Sequence, residues 1–397
     1  MMEELSRGRA LGKVTAVIEE SERSPMGTMK KIMQENPDIV NMSIGEANFD
    51  PPAELIDIAC RLSADKVNRR SLYTSTRGLP PLRQAIARYM KKTLGADADP
   101  DENILVTVGG TEALHLAIKV LVRPGDKVLL PNPGWGALEG LMRRQGPEIL
   151  YYPLRKAHAW TVDTDAVLQA MHAGVKVLVV NSPSNPTGAM VVDPAGWARI
   201  MEKAKELDIF VFSDEVYHVY TYEGPFVSAV GLDPTFENLL LIDSFSKAFA
   251  VMGWRIGYAV AHPWLIRQMD VYKETVSACT PSIAQWAFAE YLDSCDAYLE
   301  QRRAMLKDNM EKMVARLNAI PGVFCPKAQG GFYLLPDFSA LEPSSVAMVE
   351  KLLRGGVATA PGAAFGSMGE GCLRLLFSQE WLDVDKVVSR IEKTLTG

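Results

Sequence analysis

Lys247 lies in the run 244–258, which reads Ser-Phe-Ser-Lys-Ala-Phe-Ala-Val-Met-Gly-Trp-Arg-Ile-Gly-Tyr. A lysine amine condenses with an aldehyde to give a Schiff base. Serine hydroxyls and an arginine fork suit a phosphate monoester, and Ser244, Ser246 and Arg255 supply both in one segment. An aldehyde trap beside a phosphate clamp matches the two ends of pyridoxal 5'-phosphate. The plainer reading is a surface lysine in a serine-rich turn. Residues 239–242, Leu-Leu-Leu-Ile, weigh against it, because they predict a buried strand that delivers the serines and the lysine at its carboxyl end. Open α/β sheets place ligands there.

Other residues extend that chemistry. Asp214 follows the apolar run 209–213. A carboxylate at a strand end can keep a pyridine nitrogen protonated, which makes the ring an electron sink for a carbanion at an amino acid's Cα. It can also be a helix N-cap. Glu215 is the neighbouring alternative, and Tyr217, three residues beyond Asp214, is placed to hydrogen-bond a ring phenolic oxygen. Gly109-Gly110-Thr111 joins a strand-like run to a helical one, where backbone N–H groups and the helix dipole suit a phosphate. Arg374 is a charge inside an apolar strand and needs a partner: a structural carboxylate, or a substrate α-carboxylate held by a bidentate fork. By themselves Asn185, in Asn-Pro-Thr-Gly, reads as part of a turn, Trp135 as a core residue and Gly45 as a turn glycine.

The elements that must position these groups follow from the apolar pattern. Strands are predicted at 104–108, 127–130, 176–180, 209–213, 239–243 and 256–261, with helical segments such as 194–207 between some of them. Continuous apolar strands with helical crossovers predict a largely parallel sheet covered on both faces. Beyond Pro281 the pattern changes to a long helix over 283–317 without glycine or proline, short strands at 331–335 and 372–376, and a closing helix at 384–394. The expected fold is therefore α/β. A large domain (50–290) carries a mostly parallel sheet of seven-stranded type, and a smaller α+β domain combines an N-terminal arm (1–49) with residues 291–397.

Composition narrows the class. The chain has 397 residues, 48% hydrophobic and 23% charged, with a formal net charge of -6. That length favours two domains, and the mild acidity argues against nucleic acid as a partner. No apolar run has membrane-spanning length, and the start is charged rather than signal-like, so no membrane partner is expected. The 5 cysteines are scattered without Cys-x-x-Cys spacing, and the 5 histidines are equally dispersed. The expectation is a reduced, cytoplasmic setting and no metal site.

The run around Lys247, residues 185–188, residues 214–217 and Arg374 together resemble the class I/II aminotransferases, the fold-type I pyridoxal-phosphate enzymes of aspartate aminotransferase type. The resemblance extends from about Pro25 to the end of the chain. It implies that Lys247 carries the cofactor and moves a proton, that Asp214 pairs with the pyridine nitrogen, and that Arg374 takes the substrate carboxylate. It further implies that Asn185 donates to the phenolic oxygen, Trp135 stacks on the ring, and Gly45 lies near the substrate. Tyr73 matches a tyrosine that reaches the phosphate of a neighbouring subunit, which implies a homodimer with shared sites. The expected activity is ping-pong transfer of an amino group from an L-amino acid to a 2-oxo acid. The alternatives are a lyase or other Cα-carbanion enzyme on the same framework, and a ligand-sensing protein without turnover. Three departures bear on specificity: Ala47-Asn48 replaces Pro-Asp, Leu138 replaces a Tyr or His, and Thr111 stands where one aspartate-specific branch has a lysine. Together they put selectivity for a dicarboxylate in question.

Overall fold

The computed structural model describes residues 36, 38–172, 174–191 and 193–396. Most of the expected N-terminal arm, residues 1–35, lies outside the described residues. The strands are β1 (Val40–Asn41), β2 (Ile104–Thr107), β3 (Lys127–Asn132), β4 (Glu148–Pro153), β5 (Val175–Asn181), β6 (Phe210–Asp214), β7 (Leu239–Ser244), β8 (Gly257–Ala261), β9 (Tyr333–Leu334), β10 (Val357–Ala358), β11 (Ala360–Pro361) and β12 (Leu373–Leu376).

Seven of them form one sheet in the order β2-β8-β7-β6-β5-β3-β4. β8 runs antiparallel to both of its neighbours, and the other pairings are parallel. Neighbouring residues of each strand face opposite sides. Leu178 and Val180 join one apolar cluster, with Ile104 and Val106, while Val177 and Val179 join another, with Leu105. This is the burial on both faces that near-continuous apolar strands require.

Register sets the site. Thr107 and Ser244 both pair with Gly257, so the turn after β2 meets the segment after β7 across one glycine. A Cβ on Gly257 would lie 2.9 Å from the Gly110 backbone nitrogen and 2.7 Å from the Asp243 carbonyl oxygen, so the close approach needs glycine there. Asn181 pairs with Asp214, and Asp214 with Ile242.

A third apolar cluster holds Met42, Phe49, Met310, Leu317, Phe332, Leu375 and Val388. β1 joins this part of the chain by pairing with β10. β12 stands between β11 and β9 in a three-stranded sheet, which puts Arg374 opposite Ala360.

One expectation is corrected. The predicted helix over 283–317 is broken into Ser282–Tyr291, a 3-10 turn at Leu292–Ser294, and Asp296–Asn318. The break is packing-driven. Leu292 and Cys295 are buried in the sheet-side core, Ser294 Oγ donates to the Tyr291 carbonyl, and Asp293 and Asp296 pair with Arg88 and Lys92 of helix Pro80–Leu94. The apolar pattern of the sequence does not announce the edge strand β4. Its residues are mostly half-buried or exposed, so they lack the continuous apolar signal of the interior strands.

Candidate active site

Lys247 follows Ser246 in the short helix Phe245–Ala248, directly after β7. Ser244 caps this helix by accepting the Ser246 N–H. The Lys247 ammonium donates to the Gly45 carbonyl at 2.6 Å. Burial pushes this amine down to about 8, assisted by the Arg374 and Arg255 charges and opposed by Glu46.

A cavity of about 630 Å³ opens around it. Of the residues proposed from sequence, Gly45, Gly110, Thr111, Trp135, Asn185, Asp214, Tyr217, Ser244, Ser246, Lys247, Arg255 and Arg374 all line it. Tyr73 does not; it is 89% exposed, next to the exposed Leu72.

Asp214 ends β6, and a turn rather than a helix follows it, which removes the N-cap alternative. Burial raises its carboxyl to about 7. A Val216 N–H hydrogen bond opposes the rise, and the Asp243 and Glu215 charges add to it. Its Oδ1 is buried without a hydrogen-bond partner. Such an acceptor is costly unless something donates to it. Glu215 is already committed: it accepts from Ser213 Oγ, Ser228 Oγ and the Ala229 N–H. Of the two adjacent acids, only Asp214 lines the cavity, and it does so with an oxygen that has no partner.

Arg374 is buried and faces no carboxylate among the described residues. Its Nη1 donates to Asn185 Oδ1 at 3.0 Å and its Nη2 to the Ser43 carbonyl, while Nε has no partner. The rings of Tyr333 and Phe365 each lie 4.8 Å from the guanidinium carbon. A buried cation held by neutral dipoles and two aromatic faces is prepared for an anion from outside. Asn185 is itself fixed by its backbone N–H, which donates to Asn181 Oδ1 at 2.7 Å.

On the opposite side, Gly109 adopts φ 75° and starts helix Gly110–Leu121. Arg255 lies over this turn and donates to the Val108 carbonyl at 3.3 Å. Ser244 Oγ donates to the Ser246 hydroxyl oxygen at 3.0 Å. Helix-end N–H groups, two hydroxyls and an arginine therefore meet at one end of the cavity, as a phosphate needs.

Tyr333 and Phe365 were missed from sequence. In the sequence Tyr333 shows only as part of a strand; in the structure its hydroxyl lies 3.0 Å from that of Tyr217. The one local signal was the pair Phe332-Tyr333 after two glycines.

A buried lysine, an unpartnered carboxylate, a helix end flanked by two hydroxyls and an arginine, and a second arginine with no carboxylate beside it share one cavity, the set of groups that a pyridoxal-phosphate enzyme acting on amino acids requires. Comparison with known proteins places the chain more closely. Residues 37–391 match the family described as aminotransferase class I and II, and the chain belongs to it. It is 32% identical to the aspartate aminotransferase of Pyrococcus horikoshii over 364 residues, covering 91% of each chain. The aspartate aminotransferase from Thermus thermophilus with maleate superposes with a TM-score of 0.90 at 30% identity, over 96% of this chain and 99% of that one. The alanine aminotransferase from Pyrococcus furiosus gives 0.89 at 28% identity, over 97% and 100%. The protein is a pyridoxal-phosphate-dependent aminotransferase of the aspartate aminotransferase type.

Proposed function

We propose that Lys247 holds the cofactor covalently and, once released by the donor amine, moves the proton from the donor's Cα. Bound pyridoxal phosphate supplies the electron sink that makes this Cα–H acidic. Asp214 keeps the pyridine nitrogen protonated, and Tyr217 and Asn185 donate toward the phenolic oxygen. Gly110, Thr111, Ser244, Ser246 and Arg255 bind the phosphate, and Trp135 covers the ring. Arg374 orients the donor's α-carboxylate, with Gly45 beside it. The observation that carries this reading is the unpartnered buried Asp214 Oδ1 in the same cavity as Lys247 and Arg374.

The test is borohydride reduction followed by peptide mapping. Label on the Lys247 peptide, absent in Lys247→Ala, supports the assignment; label on another lysine overturns it. Ammonia release from amino acids without any 2-oxo acid would mark a lyase instead.

The donor we propose has an uncharged side chain. Among the described residues lining the cavity, the cations are Lys247, Arg255 and Arg374, and each already has a role. The walls nearby are Trp135, Ala364, Phe365 and Tyr333.

We propose further that the enzyme is a cytoplasmic homodimer, with Tyr73 of each protomer given to the other's phosphate site. Exposure of Val67, Leu72 and Tyr73 supports the dimer. Five unpaired cysteines support the compartment. No helix among the described residues is long and apolar enough to cross a membrane. The separate apolar cluster around Met310 supports the division into 1–49 with 291–397 and 50–290.

A further inference from the structure

Glu112 and Lys273 are both buried, yet neither lines the cavity. Glu112 sits in the first turn of helix Gly110–Leu121. Its Oε2 accepts the Val108 N–H at 2.7 Å. The Val108 carbonyl in turn accepts from Arg255 Nη2 at 3.3 Å. One residue of the turn is thus gripped on its N–H by a carboxylate and on its carbonyl by the cavity's arginine. The grip is close: a Cβ on Gly109 would fall 2.7 Å from Arg255 Nη2.

Lys273 comes from helix Pro263–Val276, packed alongside. Its side chain is 0% exposed, and its Nζ lies 3.9 Å from Glu112 Oε2. That ammonium makes no hydrogen bond among the described residues, so the carboxylate is its nearest compensation. Burial pushes the ammonium down, and Glu112 is the foremost group opposing this. A buried, imperfectly paired charge is poor value for stability alone. Its position behind the Gly109–Thr111 turn gives it another use.

We propose that Glu112 and Lys273 are positioning residues for the cofactor's phosphate. The carboxylate ties down Val108, which fixes both the helix-end N–H groups and the Arg255 guanidinium. The ammonium keeps the carboxylate in place. This role rests on the assignment of Gly110, Ser244, Ser246 and Arg255 to the phosphate.

The experiment removes the cofactor from the holoenzyme. The apoenzyme is then titrated with pyridoxal 5'-phosphate, with pyridoxal, which lacks the phosphate, and with inorganic phosphate. E112A/K273M is the main variant, because it leaves neither charge buried alone. It is expected to bind pyridoxal 5'-phosphate and inorganic phosphate about ten-fold more weakly, the scale of one lost charged hydrogen bond, with pyridoxal unchanged. E112Q/K273M, whose amide oxygen still accepts the Val108 N–H and which likewise leaves no charge buried alone, stays within about two-fold of wild type. If E112A/K273M does not fold, K273M alone shows the same phosphate-selective loss at smaller size. Equal weakening of pyridoxal and its phosphate, or a fall in Tm with no change in either, overturns the proposal. If the wild-type apoenzyme itself shows no preference for pyridoxal 5'-phosphate over pyridoxal, the phosphate assignment falls and takes the role of this pair with it.

Discussion

The Tyr333 hydroxyl fills the space where a side chain on Gly45 would begin. That hydroxyl is 3.0 Å from the Tyr217 hydroxyl, and the Gly45 carbonyl accepts from Lys247 at 2.6 Å. Glycine at this position lets the Tyr333 ring close against the Arg374 guanidinium while the backbone still reaches the lysine. Gly45→Ala must therefore displace either the ring or the carbonyl. Overpacking of this kind costs roughly 1–3 kcal/mol, and a reacting group misplaced by about 1 Å can cost about a hundred-fold in rate. Half-reaction rates for Gly45→Ala are expected to fall about 10- to 100-fold on that basis. Adding Tyr333→Phe removes the overlapping oxygen and is expected to restore part of the loss. Wild-type rates in Gly45→Ala would contradict the contact.

Lys247 gives a pH prediction for the cofactor-free enzyme. Its amine sits at about 8, lowered first by burial and then by Arg374 and Arg255, with Glu46 acting in the other direction. The neutral amine is the nucleophile. Covalent reattachment of cofactor to apoenzyme should therefore speed up as pH rises through about 8. Glu46→Gln removes a group that favours the ammonium, so the midpoint should move down. Arg374→Gln removes a group that disfavours it, so the midpoint should move up. Stopped-flow absorbance across pH reads both; shifts in the same direction would contradict this electrostatic origin.

The chemistry-bearing residues were legible because they cluster in short runs at strand ends. Asp214, Lys247 and the Gly109–Thr111 turn each follow a continuous apolar strand, and that local pattern survives in one dimension. The partners of Arg374 did not show. Asn185, Tyr333 and Phe365 come from three separate parts of the chain, and a stacked aromatic has no spacing rule to betray it. The Glu112–Lys273 pair was hidden for the same reason: it depends on two helices packing. β4 was missed because an edge strand needs no unbroken apolar run, and the long helix was overextended because its break is set by the packing of Leu292 and Cys295 into the sheet-side core, beside exposed ion pairs to Arg88 and Lys92 of another helix.

Asp214 links the site to stability. In the apoenzyme its carboxyl is raised from 3.8 to about 7, mainly by burial, so the folded state holds a proton that the unfolded chain releases. The stabilisation is complete below about 4 and is lost as pH rises through about 7. Glu215, also raised to about 7, loses stability in an overlapping window and is common to both proteins compared. Asp214→Asn stays neutral throughout. Its Tm minus that of wild-type apoenzyme should therefore grow between about pH 4 and pH 7 and then level off. Calorimetry of both proteins across pH tests this; a constant difference would place the raised carboxyl elsewhere.

Substrate choice follows from where the cations sit. A donor such as aspartate presents two carboxylates. Arg374 can take one, since its Nε has no partner and Nη1 and Nη2 already hold neutral oxygens. The second would need another cation, but Arg255 is tied to the Met252 and Val108 carbonyls at the far end of the cavity and Lys247 is spoken for. Thr111, which lines the cavity, contributes a hydroxyl and no charge. A carboxylate left without a partner against Trp135, Ala364 and Phe365 pays a desolvation penalty of about 1–3 kcal/mol or more. Donors with apolar side chains are thus expected to exceed aspartate in kcat/KM by at least about ten-fold. Introducing a cation with Thr111→Lys should narrow or reverse that ratio. A half-reaction panel of single amino acids, read from the change in cofactor absorbance, gives the ratio directly; aspartate as the best donor of wild-type enzyme would show that a cation outside these residues completes the site.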